Sequence, residues 1–279
     1  MLSFYFVFGF ACTIPSAEHT FNSLIQGMLL EKNIPVGDIL DVGADKGEWS
    51  CLYACSDSSR TVHAVDPSKK NLDDLSCENV HNIEKHVMML DKHSSTRIEY
   101  SSGYLHKGMK VKKSAKGNVE VSTVDELFKT KKVGFMHLDV EGFELNVLHG
   151  SLDVLKRDRP ILSVEVFMYD MASTKSLLQF LEKENYSLYV VHEICGWRKD
   201  CRNIICLPKE LMYELNFSPI LNIAARSEII KRVNSTTIFN YKANTYLRGF
   251  YDTTRALTDQ QSFICNTKGK KWKQNTPCD

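Results

Sequence analysis

The sequence predicts a doubly wound, Rossmann-like α/β fold with a mostly parallel sheet, and three observations carry that prediction. Short runs of Val, Ile and Leu recur from residue 36 to about residue 208. These runs lack polar alternation, as strands buried on both faces require. Amphipathic stretches of helical period lie between most of them, and such a β-α-β-α rhythm builds a parallel sheet with helices on either side.

In chain order, Asp-Ile-Leu-Asp-Val at 38–42 is the first strand, followed by a helix over 47–54. Thr-Val-His-Ala-Val at 61–65 is the second strand, followed by a helix over 69–75. Residues 84–117 mix His86-Val-Met-Met-Leu and Arg97-Ile-Glu-Tyr with Ser, Lys and Gly, which suggests an inserted short hairpin. Ser122 and Thr123 place capping oxygens ahead of a helix over 123–128, and strand 133–138 leads into a long helix over 143–156. Pro160 stops that helix before strand 161–167. Ser173 precedes a helix over 174–184, and strands over 187–191 and 203–207 complete the sheet. Beyond Pro208 the rhythm is lost. Helices over 211–215 and 224–233 lead into an aromatic, basic tail, and 209–279 is expected to be an extension covering the core.

Composition bounds the function. Of 279 residues, 43% are apolar and 25% charged, which suits a globular enzyme or binding domain and excludes disorder and multiple membrane spans. A net charge of +1 gives no overall field for holding nucleic acid. The apolar run from Leu2 to about Ala11 falls short of the roughly 20 residues that a spanning helix needs. It has the length of a secretory signal core, although no basic segment precedes it, so residues 1–17 are expected to be a cleaved leader or else a buried strand.

Setting Cys12 aside with the leader, eight cysteines remain, an even number that fits disulfide pairing in an oxidising compartment. Cys265 and Cys278 bracket a polar segment that a disulfide could close. Cys51 and Cys55 share one helix face, as bonded thiols or as small core residues. Three Asn-x-Ser/Thr sequons occur, at Asn185, Asn216 and Asn234. Together these features favour a lumenal or secreted protein, with a cytoplasmic location as the alternative.

The chemistry should lie where the strands end, because ligands of open parallel sheets bind at the carboxyl ends. The first strand closes on Asp41-Val-Gly-Ala-Asp-Lys-Gly47. Gly43 permits a tight turn and Gly47 close approach of the following helix. The second closes on Asp66, an acid able to accept hydrogen bonds from both hydroxyls of a ribose. Asp41 stands where a dinucleotide fold would place a glycine, and its charge repels a pyrophosphate. It suits the sulfonium and ammonium groups of S-adenosyl-L-methionine, so this cofactor is preferred over NAD.

The blocks 38–50, 62–71, 121–128 and above all 133–167, with Asp139-Val-Glu-Gly-Phe-Glu144 and Leu148-His-Gly150, resemble the FkbM family of S-adenosylmethionine-dependent methyltransferases. The likeness spans about 36–208. It implies a class I methyltransferase fold within a domain of 18–208. It also implies that Asp41, Gly43 and Gly47 line the methionine end of the cofactor, that Asp66 meets the ribose and that Asp91 lies near the adenine. Asp139, Glu141 and Glu144 then face the reactive end. Two departures stand out: His137 replaces a usual Lys, and Asp45 a usual Asn.

Candidate bases for removing the acceptor's proton are Asp139, Glu141, His137, Glu165 and His192. His137 and Asp139 alternate along one strand and are expected on one face; a core role for His137 carries equal weight. Asp139, Glu141 and Glu165 offer oxygen ligands to a hard cation, but their spacing gives no reason to expect a metal. The resemblance implies O-methylation of a hydroxyl on a glycan or small metabolite. The competing readings are an inactive binding module of the secretory pathway and a nicotinamide oxidoreductase.

Overall fold

The computed structural model describes residues 19–77, 80–100, 112–114, 116–193, 201–213 and 218–240. The leader, Cys265, Cys278, the sequon at Asn216 and the tail from 241 lie outside them. The chain divides into the units Met1–Asn240 and Tyr241–Asp279, and the fold below belongs to the first.

Its elements are α1 (His19–Leu30), β1 (Asp38–Val42), α2 (Glu48–Ser56), β2 (Val62–Asp66), α3 (Lys69–Asp74), β3 (Ile83–Leu90), β4 (Ser95–Glu99), β5 (Lys112–Lys113), β6 (Val119–Ser122) and α4 (Val124–Leu127). There follow β7 (Val133–Leu138), α5 (Glu144–His149), α6 (Leu152–Asp158), β8 (Ile161–Phe167), α7 (Met171–Lys183), β9 (Tyr186–Val191), β10 (Cys201–Pro208), α8 (Pro219–Arg226) and β11 (Ile230–Val233). The strands form one sheet in the order β11-β9-β10-β8-β7-β1-β2-β3-β6-β4-β5. β1 pairs in parallel with β2 and β7, β2 with β3, β3 with β6, and β7 with β8. β10 runs antiparallel between β8 and β9, and β11 antiparallel beside β9. The expected mostly parallel, doubly wound sheet is present.

Five strands are buried throughout, which explains their unbroken apolar sequence: β2, β7, β8, β9 and β10. One side of the sheet is covered by α1, α2 and α8, where Phe21, Ile25 and Met28 pack with Leu52, Tyr53, Ile39, Phe135 and Leu221. Each such side chain, fully buried, stabilises by about 1.5–3 kcal/mol. Carboxylates fasten α1 at both ends. Glu193 accepts hydrogen bonds from the amides of Thr20 (2.9 Å) and Phe21 (2.8 Å), and Glu31 accepts from Ser218 Oγ (2.7 Å) and the Ile220 amide (2.9 Å).

Several expectations need correction. Residues 83–90 form a parallel strand of the main sheet, and the antiparallel pairing within the segment is that of β4 with β5 and with β6. The helix expected over 143–156 is two helices, broken at Gly150, where a Cβ would lie 2.2 Å from the Asp91 carbonyl oxygen. The helix expected over 224–233 is the end of α8 followed by β11. Residues up to 240 thus contribute to the same unit as the sheet. Cys51 bonds Cys77 rather than Cys55. Cys55 and Cys201 are each disulfide-bonded as well, whereas Cys206 is a buried free thiol, so the eight cysteines do not all pair. The sequon residues Asn185 and Asn234 are exposed.

Candidate active site at the carboxyl ends of the strands

A cavity opens where β1, β2, β3 and β7 end, on either side of the point where the strand order reverses. Its lining joins two kinds of surface. Asp45, Asp66, Asp139 and Glu141 supply carboxylates; Val65, Pro67, Met88, Leu90 and Phe143 form an apolar slot, with Tyr100 at its side.

The first turn is shaped by backbone need. Gly43 has φ +87°, and a Cβ there would meet the Asp139 carbonyl oxygen at 1.8 Å, so only glycine lets the β1 and β7 turns touch. Asp45 also has a positive φ, +45°, which Asp tolerates better than most residues and which accounts for an Asn or Asp at this position. Its amide donates to Asp66 Oδ2 at 3.1 Å, and its own Oδ1 accepts from Asn71 Nδ2 at 2.6 Å. Asp66 Oδ1 accepts from the Ser68 amide at 2.7 Å. Both Asp66 oxygens are thereby aimed, and each keeps a second acceptor site for a ligand. Burial raises the Asp66 pKa to about 6.

Asp41 lies behind this lining, fully buried. Its Oδ2 accepts from Ser50 Oγ, while its Oδ1 has no hydrogen-bond partner. Burial, opposed by Ser50 and reinforced by the charges of Asp139 and Asp66, raises its pKa to about 7. An orphaned carboxylate oxygen beside two further acids is a site that attracts positive charge.

On the far wall, Asp139-Val-Glu-Gly turns back on itself, with Glu141 at φ +52°. Glu144 closes the turn, its Oε1 accepting from the amides of Val140 (3.2 Å) and Gly142 (3.0 Å). It does not line the cavity; burial, against those bonds, raises its pKa to about 7. Carboxylate oxygens of Asp139, Glu141 and Glu165 lie within 4.8 Å of one another. Burial, then the charges of Asp139 and Glu141, push the Glu165 pKa far up, so Glu165 is held protonated beside Asp139.

Gly43, Asp66, Asp139 and Glu141 therefore meet at one cavity, with Asp41 and Glu165 adjoining it. Besides Asp41, Glu144 and Glu165, four candidates do not line it. Gly47 starts α2 in the left-handed region, and a Cβ there would meet Leu75 Cγ at 2.2 Å, so it serves packing rather than ligand approach. Asp91 turns to α5, accepting from Asn146 Nδ2 at 2.9 Å. His137 is 2% exposed among Phe21, Trp49 and Tyr53, with burial lowering its pKa to about 3; it is a core residue, not a base in the cavity. β7 ends at Leu138, so the alternation expected to carry His137 and Asp139 together stops there. His192 lies beyond β9 beside β11, its amide bonded to the Ile229 carbonyl at 2.9 Å. Asp45, Met88 and Phe143 were not foreseen as lining; the place of Asp45 between Gly43 and Gly47 is a signal for that residue alone.

Residues 41–188, just over half of the chain, match the sequence model of the methyltransferase FkbM domain. The chain belongs to the FkbM methyltransferase family. All cavity-lining acids of this FkbM domain fall within the matched residues. Among solved structures it is similar to a methyltransferase FkbM from Methylobacillus flagellatus, at 18% identity and a TM-score of 0.43, over 60% of this chain and 43% of that one. The match thus spans less than half of the Methylobacillus chain. It is also similar to Aeropyrum pernix fibrillarin with natively bound S-adenosyl-L-methionine (12% identity, TM-score 0.43, 66% and 74% covered). A third is an rRNA methylase from Streptococcus thermophilus (11% identity, TM-score 0.42, 66% and 94% covered). No curated protein matches this FkbM domain in sequence.

Proposed function

We propose that the chain is an S-adenosylmethionine-dependent methyltransferase that methylates a hydroxyl oxygen of a glycan or small metabolite. The observation that supports this most is the pairing, in one cavity, of an apolar slot with acids from the ends of β1, β2 and β7. The slot suits an adenine, the aimed oxygens of Asp66 a ribose, and the orphaned Asp41 oxygen the cationic methionine end. Bound there, the cofactor supplies an electrophilic methyl group on a positively charged sulfur.

The chain's own task is to position the acceptor in line and to take its proton. Asp139 is the proposed base, at the mouth of the turn that Glu144 closes. Protonated Glu165 beside it is a hydrogen-bond donor that orients the Asp139 carboxylate. Glu141 lines the same wall and offers an acceptor-hydroxyl contact. The disulfides at Cys51, Cys55 and Cys201 support passage through an oxidising compartment, and we propose a lumenal or secreted location.

Calorimetry with S-adenosylmethionine on the wild type and on Asp66→Ala tests the proposal. Saturable binding is expected, weakened in the variant on the order of 2–4 kcal/mol through loss of charge-assisted hydrogen bonds. Absence of heat in the wild type sinks the enzyme reading and leaves a partner-binding module. A screen of hydroxylated acceptors with methyl-labelled cofactor then tests the acceptor class.

A further inference from the structure

Outside the cavity, two histidines and a glutamate converge from adjacent strands. β2 and β3 pair in parallel with His63 opposite Glu84, and His86 lies two residues further along β3, on the same face as Glu84. His63 Nδ1 stands 3.0 Å from His86 Nε2 and 3.3 Å from Glu84 Oε2, while His86 Nε2 is 3.9 Å from that same oxygen. A tetrahedral zinc ion with ligands at about 2.0–2.1 Å sets its ligand atoms roughly 3.3 Å apart. The three atoms already approach one face of such a tetrahedron.

The surrounding hydrogen bonds suit an ion. His63 Nε2 is 3.1 Å from Asp38 Oδ2, the carboxylate contact by which a metal-bound histidine is usually held. A neutral His63 that gives its one proton to Asp38 leaves a lone pair on Nδ1. That lone pair lies between His86 Nε2 at 3.0 Å and Glu84 Oε2 at 3.3 Å, so all three atoms point at one spot. A divalent cation among the three atoms satisfies all of them together. The His63 ring is 1% exposed and is held edge-on by Phe128, with ring centroids 4.8 Å apart, so the ligand is fixed in place.

We propose that His63, His86 and Glu84 form a binding site for a zinc-class divalent ion, with a fourth position open to solvent. None of the three lines the cofactor cavity, and the site does not depend on the methyltransferase reading. The ion clips β2 to β3 about 10 Å before Asp66, at 3.3 Å per strand residue. Lys131 Nζ, 2.9 Å from Glu84 Oε2, is the competing cation at that oxygen. Ligands drawn from two strands, with no Cys-x-x-Cys pattern, leave no spacing signature in the sequence.

Chelator-treated full-length protein titrated with Zn²⁺ alone should bind one ion per chain and melt at a higher temperature. Co²⁺ in its place should give the intense visible absorption of a four-coordinate site. His86→Gln and Glu84→Gln, both in partly exposed side chains, should abolish the cobalt spectrum. Asp38→Asn should weaken zinc binding roughly 10–100-fold. Lys131→Ala should bind zinc at least as tightly as the wild type, because it removes the competitor. No binding by the wild type overturns the site. Binding that His86→Gln leaves unchanged, or that Lys131→Ala weakens, overturns it equally.

Discussion

At Gly43 one missing carbon decides whether two turns can meet. The residue combines φ +87° with a Cβ position 1.8 Å from the Asp139 carbonyl oxygen, so any side chain must separate the β1 and β7 turns. Gly43→Ala is therefore expected to destabilise the fold by on the order of 2–3 kcal/mol or more, read as a lower denaturant midpoint. An unchanged midpoint contradicts the contact. The buried acids give a second expectation. Asp41 (3.8 to about 7), Asp66 (3.8 to about 6) and Glu144 (4.5 to about 7) keep protons in the folded state that the unfolded chain has already lost. Over that interval the folded state binds more protons, so stability is highest below about pH 4 for these groups and declines as pH rises to about 7. Melting temperatures between about pH 5 and about pH 8 should fall accordingly. A cationic ligand favours their ionised forms, so S-adenosylmethionine should bind more tightly as pH rises through the same range, with proton release on binding. That Gly43 and Asp66 meet at one cavity was legible because acids and glycines at strand ends carry a positional meaning. His137 was not, because strand alternation says nothing once the strand has ended.

Among the elements, those built from unbroken apolar runs were predictable, since burial on both faces leaves no choice of residue. β3 was misread because Glu84, Lys85 and His86 are polar; its first half lies near the surface and only Met89 and Leu90 are fully buried. Among the described residues β11 pairs only with β9, and it exposes Lys231 and Arg232, so Ile-Lys-Arg-Val carries no strand signature of its own. The break between α5 and α6 depends on the Asp91 carbonyl, a contact distant in sequence. The Cys51–Cys77 bond ties α2 to the segment after α3, closing a loop of 26 residues that contains the Asp66 turn. Replacing both cysteines by serine should cost about 3–4 kcal/mol, on the chain-entropy account of loop closure. Equilibrium unfolding of the double variant measures it, and a loss below about 1 kcal/mol would show that the link is incidental.

For the whole molecule, the sheet requires residues that the rhythm of the sequence had set apart. Leu221, Ala224 and Ile230 join the cluster that contains Phe21, Ile25 and Tyr53. A chain ending at Asn240 should fold and bind cofactor, whereas one ending at Pro208 should expose that cluster and aggregate. Size-exclusion chromatography and circular dichroism of the two truncations distinguish these outcomes; a monomeric, folded 1–208 chain argues against the assignment of α8 and β11.

Cys206 lies in β10, between β8 and β9, with its sulfur buried and its pKa pushed up by burial. While the nascent polypeptide is open, this odd thiol can attack any neighbouring bridge and scramble it. Insertion of its strand seals the sulfur away from exchange partners. The order of assembly therefore matters: correct bridges survive only if β10 docks between β8 and β9 before reshuffling does its damage.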